Sequence, residues 1–536
     1  MIIQILGGVA ALVAAMAGAV AIRSKYDASD PYKVKLGDTW LPTFERSEIP
    51  FEHQHDNKTT LPFMAGAVID IEGDGRECVF LGGGRSQQDG LFRFNGTAFV
   101  AVEAHGIDKA DGVATMGANV LDTDGNGLDD LILLRTDGIW LYKNQGGRFV
   151  GEKLDAAMPD DTIPLGVTVA DLNGNGHFDM FVSGYIRSDL VEGQSIFNKP
   201  GYGGTSQLFL NNGDNTFTNA TKSSGLELTH NTFVAVFIDV DDSGRHDLIV
   251  AHDTGHVRTW RNLGDGQFEP VKNPNSETYA YPMGIAVGDY DGDGKVDFFF
   301  SNVGSTPPNF MIRGDLRDDQ ESNWKWLLFK NQGDFKFTDE AVATKLADYE
   351  FGWGAVFADF NLNGREDLVV SENFVNLPPH KVPALRLPCR LLIQTENGEF
   401  AAVGKEAGVV NRRFSIAPLV ADFNGNGRPD IVHVNLAGRS VAFLSKPGRG
   451  TSLKVRLPNT VAFSGAKVMV TDDTGKTQSK WLVHGEGMSS ECSPILIFGL
   501  AENKAVRVEV QRVGGSVESF DGPFEGGMLD LKSTLR

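Results

Sequence analysis

The chain has 536 residues, among them 63 glycines and 35 phenylalanines, and a formal net charge of −21. This length exceeds what one ordinary hydrophobic core accommodates, so several domains or repeats are expected. The acidic surplus disfavours a nucleic-acid partner, because phosphate binding requires a basic face. Cys78, Cys389 and Cys492 show no zinc-ligand spacing and are too few for a disulfide framework.

The chain begins with an apolar segment. Residues 2–22 have Gln4 as their one polar side chain, and they are long enough to cross a bilayer. Small residues such as Ala15 and Ala17 also fit signal cleavage. Residues 1–25 are therefore predicted as a signal anchor or a signal peptide, with a buried core helix as the third reading. Residues 26–50 are predicted as an extended linker.

An acidic nine-residue loop recurs along the chain. In the copy from Asp289 to Asp297, acids occupy positions 1, 3, 5 and 9, and Gly294 occupies position 6. Ca²⁺ takes about six to eight oxygen ligands from carboxylates and carbonyls, and acids at this spacing can surround one such cation. The glycine permits the left-handed backbone that turns the loop back on itself. The residue at position 7 would offer its main-chain carbonyl.

Seven copies, numbered here as loops 1 to 7, begin at residues 70, 122, 171, 239, 289, 359 and 422. One copy alone would read equally well as a polar turn, but repeated self-similarity indicates a repeat fold. The predicted Ca²⁺ ligands, loop by loop, are Asp70, Glu72 and Asp74; Asp122, Asp124, Asn126, Leu128 and Asp130; Asp171, Asn173, Asn175, His177 and Asp179; Asp239, Asp241, Ser243, Arg245 and Asp247; Asp289, Asp291, Asp293, Lys295 and Asp297; Asp359, Asn361, Asn363, Arg365 and Asp367; and Asp422, Asn424, Asn426, Arg428 and Asp430. Loop 1 has Cys78 at position 9, so its metal binding depends on Glu77 or water and stays open. The two histidines within loops, His177 and His246, are expected to point outwards.

Short apolar strands flank each loop. Around loop 2 they are Gly117–Leu121 and Leu131–Leu134, and a third strand follows at Leu141–Asn144. Four strands in each of seven units predict an all-β, seven-bladed β-propeller over residues 51–448, because a closed ring leaves few unpaired edges. The last unit lacks an obvious fourth strand, and Thr43–His53 is expected to supply it.

The loops, the apolar strand after each one and the Asn-x-Gly-x-x-Phe hairpin resemble FG-GAP/VCBS repeats, the blade unit of integrin α-subunit propellers. The resemblance covers roughly residues 50–445, and it implies Ca²⁺ binding by the loops on one rim of the ring. Long insertions at Ile186–Thr205, Ser305–Asn323 and Asn373–Pro388 are expected on the opposite rim. Long loops on a rigid scaffold often carry binding function, so a protein or glycan partner is predicted there.

The pattern changes near Gly450. Residues 449–536 contain segments of alternating apolar and polar residues, such as Leu453–Leu457 and Val506–Val510, which predict a half-exposed antiparallel sheet. The entry strand and the His484-Gly-Glu-Gly-Met turn resemble the ASPIC/UnbV domain. Repeats followed by this domain resemble the cartilage-acidic-protein family. This resemblance implies an architecture and no particular activity.

No hydrolase, metalloprotease, phosphate-loop or dinucleotide motif stands in a fitting context in the sequence. The chain is therefore predicted to be a non-enzymatic adhesion or scaffold module outside the cytoplasm. Two alternatives stay open: a Ca²⁺-dependent lyase or hydrolase acting on polysaccharide, and an accessory subunit of a membrane complex held by residues 2–22. By the positive-inside rule, Arg23 and Lys25 would place the domain that follows them in the cytoplasm. Calcium-binding loops suit a calcium-rich compartment instead.

Overall fold

The computed structural model describes residues 31–54, 63–187, 203–304, 320–373 and 386–535. These residues form an all-β protein, with a 3₁₀ turn at Val461–Phe463. Within them, no helix combines the length and the hydrophobicity that a bilayer crossing requires. The N-terminal hydrophobic helix predicted at residues 2–22 lies outside the described ranges.

The described part of the chain contains seven sheets that each have four antiparallel strands, numbered after the loop that joins their first two strands; sheet 1 gains a fifth, parallel strand from Ser490–Glu491. Sheets 1 to 3 comprise Gly66–Ile69, Cys78–Leu81, Gly90–Phe94 and Phe99–Ala101; Thr115–Leu121, Asp130–Arg135, Gly138–Asn144 and Phe149–Lys153; and Thr162–Ala170, Asp179–Arg187, Gln207–Asn211 and Phe217–Asn219. Sheets 4 to 7 comprise Thr232–Ile238, Asp247–His252, Val257–Gly264 and Gln267–Val271; Ile285–Gly288, Asp297–Phe300, Leu327–Asn331 and Phe337–Asp339; Gly352–Ala358, Asp367–Glu372, Arg390–Gln394 and Phe400–Ala402; and Phe414–Ala421, Asp430–Ala437, Arg439–Ser445 and Phe44–Glu52. A two-stranded ribbon pairs Gly204–Thr205 with Thr229–His230.

The inner strands of the sheets are buried on both faces. Every residue of Thr115–Leu121 and of Asp130–Arg135 is buried, whereas Phe149–Lys153, the fourth strand of the same sheet, is exposed after its first residue. Runs of Val, Ile, Leu and Phe suit strands that are covered on both sides. The sheets therefore pack face to face, and their outer edges meet solvent.

Glycines in the first strands allow neighbouring sheets to approach closely. A Cβ atom on Gly117 would lie 2.3 Å from the carbonyl oxygen of Leu165 in sheet 3, and one on Gly284 would lie 2.5 Å from that of Trp353 in sheet 6. An apolar cluster that includes Val236 joins sheets 4 and 5. The first strand of sheet 1 also contacts the first strand of sheet 7, so the sheets form a propeller-like ring.

The fourth strand of sheet 7 comes from the beginning of the described chain. Phe44–Glu52 pairs antiparallel with Arg439–Ser445, and Phe44 lies opposite Ser445. This pairing confirms the prediction that Thr43–His53 completes the last sheet. The linker predicted to reach residue 50 ends before Phe44, because apolar residues such as Ile49 are fully buried between sheets 7 and 1.

The insertions predicted at 186–205, 305–323 and 373–388 lie largely outside the described residues. Their described flanks follow the second strands of sheets 3, 5 and 6. Because a second strand runs away from its loop, these flanks leave the ring at the rim opposite to the loops.

Residues from Thr451 onwards form a separate domain, here called the C-terminal domain. It contains a three-stranded sheet of Ile495–Ala501, Thr451–Arg456 and Gly527–Asp530, and a four-stranded sheet of Thr477–Trp481, Lys467–Asp472, Ala505–Gln511 and Val517–Phe524. The prediction of one half-exposed sheet was wrong, because the domain contains two sheets. Alternation determines which side of a strand is buried, but it does not determine how the strands divide between two sheets that share one core.

Candidate metal centre

The carboxylate at position 1 organises each loop around itself. In loop 2, Asp122 accepts hydrogen bonds from the main-chain N–H groups of Gly125, Asn126 and Gly127, at 2.8, 3.1 and 2.8 Å. Asp171 accepts the equivalent three bonds in loop 3. The glycine at position 6 has φ between 77° and 86° in all seven loops, the left-handed region that glycine adopts at little cost. The predicted role of this glycine is confirmed.

The carboxylate at position 9 closes the loop and ties it to the third strand. Asp130 accepts from the main-chain N–H of Thr123 at 2.9 Å and from that of Asn144 at 2.7 Å. The Asn144 side chain then donates to the carbonyl of Ile71, in the loop of the preceding sheet, at 2.9 Å. The same link joins Asn331 to Val240 and Gln394 to Tyr290. Sequence reasoning assigned this asparagine to a hairpin and missed its role between sheets.

Three carboxylates converge in each of loops 2, 4 and 5, with one oxygen from each lying within 4.8 Å of the others. The three groups are Asp122, Asp124 and Asp130; Asp239, Asp241 and Asp247; and Asp289, Asp291 and Asp297. They occupy positions 1, 3 and 9, in agreement with the predicted geometry. Loops 3, 6 and 7 carry Asn173, Asn361 and Asn424 at position 3. A donor set made of oxygens suits a hard cation such as Ca²⁺ or Mg²⁺.

Loop 5 shows the clearest need for a cation. Burial, reinforced by Asp291, Asp289 and Asp293, raises the pKa of Asp297 to about 9. Oδ2 of Asp297 and Oδ1 of Asp289 are buried, and no described residue forms a hydrogen bond with either oxygen. An uncompensated buried carboxylate is costly, and a divalent ion held by these residues would supply the missing positive charge. The residues of loop 5 therefore fit a cation.

In loop 1 every predicted acidic ligand faces a guanidinium group, whereas in loop 4 Arg261 lies 3.1 Å from Asp241 at position 3. Asp70 contacts Arg456 of the C-terminal domain in a pair whose side chains are 3% and 6% exposed. Arg76 lies 3.1 Å from Glu72 and 2.6 Å from Asp74. Each of the three predicted acidic ligands in this loop thus has a basic neighbour.

The C-terminal domain lies on the rim of the ring that carries the loops. Three of its lysines donate to the carbonyl at position 6 of a loop: Lys532 to Gly127 at 2.6 Å, Lys476 to Gly364 at 2.8 Å, and Lys467 to Gly294. His246 points away from loop 4 as expected, but its ring is buried and lies 2.9 Å from the carbonyl of Ser464 in the domain. The domain therefore contacts the loops on this rim, while residues 124–126, 173–177 and 291–293 in the middle of loops 2, 3 and 5 stay exposed.

A turn of the C-terminal domain, residues 484–493, enters the centre of the ring and is called the plug below. It contacts the first strands of sheets 1, 2, 3 and 5 through Gly66, Asn119, Thr168 and Ile285. The Asn119 amide donates to Glu491 at 2.8 Å, and the Thr168 hydroxyl donates to the carbonyl of His484 at 2.8 Å. Because these sheets are distributed around the ring, the plug lies on its axis.

Aromatic side chains fill the axis from the opposite rim. Phe63 precedes sheet 1, and its ring centroid lies 5.0 Å from Tyr185 in sheet 3, 5.7 Å from Phe233 in sheet 4 and 6.0 Å from Trp353 in sheet 6. One ring can contact three such distant sheets only near the axis. Met488 of the plug belongs to the same buried cluster. Side chains from both rims therefore meet inside the ring.

Comparison with known proteins agrees with this architecture. The FG-GAP-like repeat family matches residues 122–182 and 239–300, and the ASPIC and UnbV family matches residues 457–524. Cartilage acidic protein 1 from Homo sapiens is 23% identical over 57% of this chain and 46% of its own length. The protein of the same name from Xenopus tropicalis is 22% identical over 84% of this chain and 61% of its own length. The chain thus spans about half to three fifths of these curated relatives.

Among solved structures, the crystal structure of BBS1N in complex with ARL6DN, soaked with mercury, covers 76% of this chain and 97% of its own. The two chains share 10% sequence identity, and the TM-score is 0.43. A TM-score at this level carries no argument about shared function.

Proposed function

We propose that this chain, which carries FG-GAP-like repeats and an ASPIC and UnbV domain, is a Ca²⁺-stabilised, seven-bladed propeller that acts as a non-enzymatic binding module. The observation that carries the proposal is the position of the C-terminal domain, which contacts the loops through lysines and places the plug on the axis of the ring. The loops then have a structural role. The rim opposite to them is the broad surface left for a partner.

Calcium is the cation proposed for the loops, and loops 2, 4 and 5 are the best candidates. Their carboxylates converge, and a cation would neutralise a cluster that otherwise repels itself. Asn at position 3 gives loops 3 and 6 one charge fewer in the same pattern. Since ligand charge tunes calcium affinity, we expect these two loops to bind more weakly. Each ion would stiffen the connection between the first two strands of its sheet.

The partner is proposed to be a protein or a glycan bound at the rim opposite to the loops, in adhesion or in assembly of a larger complex. The described flanks of the three insertions leave the ring at that rim. A compartment outside the cytoplasm is proposed as well, because calcium sites of extracellular modules require high calcium concentrations. Membrane attachment through residues 2–22 and membership of a membrane complex belong to the same proposal.

The alternative of a polysaccharide lyase or hydrolase with its site on the ring axis gains no support from the site. Phe63 and Met488 belong to one packed apolar cluster on that axis. Enzyme sites need a cleft that admits the substrate, and the plug closes the end of the axis next to the loops. Release of products from acidic glycans by the purified chain in millimolar Ca²⁺ would support the enzyme alternative.

The calcium part of the proposal is tested by thermal unfolding of the purified chain in excess chelator and in millimolar Ca²⁺. A ligand at about 100 times its Kd stabilises the folded state by about 2.7 kcal/mol per site, so several sites should raise the melting temperature markedly. Mg²⁺ at equal concentration is the control for ionic strength. An unchanged melting temperature would contradict the role proposed for the loops.

The partner is best sought by affinity purification of the full chain, with its N-terminus intact, after gentle detergent extraction. A partner of the opposite rim should remain bound when the C-terminal domain carries the bait tag. A partner that binds the isolated C-terminal domain equally well would contradict the proposed surface.

A further inference from the structure

We infer that loops 1 and 7 hold basic side chains of the C-terminal domain in the place where the other loops hold a divalent cation. These two loops would dock the C-terminal domain instead of binding metal. The inference goes beyond the proposed function because it divides the loops into a metal-binding class and a docking class. Only the metal-binding class rests on the proposed function.

In loop 7, the ammonium group of Lys454 lies 2.8 Å from Oδ2 of Asp422, the carboxylate at position 1. The Lys454 side chain is 13% exposed and that of Asp422 is 3% exposed. The same oxygen accepts the main-chain N–H of Gly427 at 2.8 Å. Ser452, on the same strand as Lys454, also donates to the carbonyl of Gly427. The lysine therefore neutralises Asp422, the carboxylate at position 1 that would otherwise be a cation ligand.

In loop 1, Arg456 takes the equivalent place. Its guanidinium contacts Oδ2 of Asp70 at position 1, and its Nη1 donates to the carbonyl of Gly73 at 3.0 Å. The side chains of Arg456 and Asp70 are 6% and 3% exposed. A planar guanidinium suits such a paired arrangement of oxygen acceptors.

One strand serves both loops. Lys454 and Arg456 are two residues apart in Thr451–Arg456, so their side chains leave the strand on the same side, and sheets 7 and 1 are neighbours in the ring. Other lysines of the domain contact different groups of the loops, among them Lys480, which contacts Glu366 at position 8 of loop 6. Lys532 and Lys467 reach the main-chain carbonyls of loops 2 and 5, which leaves the carboxylates at position 1 of those loops to a metal. Lys330, which contacts Asp291 in loop 5, comes from the third strand of sheet 5 itself.

The two loops differ in what they would do without their basic partner. Loop 7 keeps a full set of predicted ligands in Asp422, Asn424, Asn426 and Asp430, so removal of Lys454 should open a cation site. Loop 1 has Cys78 at position 9, a thiol that hard cations disfavour, so removal of Arg456 should open none. This difference makes the inference testable by counting ions.

The test measures the number of Ca²⁺ ions bound per chain, by native mass spectrometry and by elemental analysis after gel filtration, for four variants of the full chain. We expect Lys454→Met to bind one ion more than the wild type, and Arg456→Met to bind the same number. Asp422→Asn should also leave the number unchanged, because loop 7 holds no ion in the wild type. Lys446→Met, which removes a lysine that is 49% exposed beside the same sheet, is the matched control and should change nothing.

Loss of one ion in Asp422→Asn, or no gain in Lys454→Met, would overturn the inference. Asparagine keeps the size of aspartate, so Asp422→Asn decides the question even if Lys454→Met does not fold. A wild-type chain without any bound ion would refute the proposed function. The gain or absence of a site in Lys454→Met would still decide the inference about loop 7.

Discussion

At the scale of single residues, the carboxylates of the loops combine burial with charge. Asp297 is fully buried, and burial raises its pKa to about 9, while burial raises the pKa of Asp247 in loop 4 to about 7. In the metal-free chain these acids keep their protons to a higher pH than exposed aspartates do. A bound cation would reverse that preference, because metal ligands bind in the deprotonated state. The same residues therefore destabilise the empty loop and stabilise the loaded one.

Asp297→Asn should reverse the order of stability between two conditions. In excess chelator at pH 9 the variant should melt at or above the wild-type temperature, because it removes a buried negative charge whose Oδ2 has no hydrogen bond from a described residue. In millimolar Ca²⁺ it should melt below the wild type, because loop 5 has lost a charged ligand. Thermal unfolding in the two buffers measures both effects.

The control for this experiment is Glu277→Gln, which removes an acid that is 79% exposed. It should shift the melting temperature little in either buffer, since ion pairs between exposed side chains contribute little to stability. If Asp297→Asn were less stable than the wild type in both buffers by the same amount, its role would be packing and not cation binding.

At the scale of structural elements, the plug joins the C-terminal domain to the ring. Glu486 accepts the main-chain N–H of Val287 in sheet 5 at 3.2 Å, and burial of its carboxyl, with Glu491 and Glu366 near it, raises its pKa to about 8. Lys480 is nearby and lowers this pKa only in part. The docked plug therefore holds a proton that an exposed glutamate would release. Its stability depends on pH through this group.

Docking of the plug should weaken as the pH rises. The pKa of Glu486 is raised in the docked state from about 4.5 to about 8, so its contribution is complete below about pH 4.5 and is lost as the pH passes through about 8. Hydrogen exchange of the main-chain amides in the plug should therefore quicken between about pH 5 and 8, beyond the intrinsic increase, and level off above it. Glu486→Gln should remove this extra dependence.

The matched control for the plug is Glu518→Gln in the outer strand of the C-terminal domain, where the side chain is 39% exposed. This variant should keep the wild-type pH dependence. An exchange profile in Glu486→Gln identical to that of the wild type would show that the carboxyl does not govern docking.

At the scale of the whole molecule, the ring is closed by a strand from the other end of the chain. Ile49, on Phe44–Glu52, is fully buried in a cluster with Val432 and Leu444 of sheet 7 and Val79 of sheet 1. The strand covers the open edge of sheet 7 and packs against sheet 1. Closure of this kind joins the first and last sheets into one cooperative unit.

Ile49→Ala should lower the free energy of unfolding by about 2–5 kcal/mol, the usual cost of deleting buried methyl groups. Chemical denaturation monitored by tryptophan fluorescence measures the change. Glu45→Ala, on the same strand but with a side chain that is 73% exposed, should change it by about 0.5 kcal/mol or less. Deletion of residues 40–53 should lower the melting temperature further, and an unchanged value would show that the strand does not close the ring.

The sequence by itself determined the repeating part of this protein. The ligands of each loop lie within nine residues, and the apolar strands lie beside them, so local spacing predicted the seven loops, the four-stranded sheets and the left-handed glycine at position 6. The role of Thr43–His53 could also be predicted, because the last unit lacked a fourth strand and this segment belonged to no other unit.

The tertiary structure alone decided what the loops face. Arg456 meets Asp70, Lys454 meets Asp422 and Asn144 meets Ile71 across long stretches of chain, and no local pattern marks one basic residue as a partner of a distant acid. The division of the C-terminal domain into two sheets and the entry of the plug into the ring depend in the same way on packing. Contacts between distant segments depend on how the whole core packs, and patterns among neighbouring residues do not specify that packing.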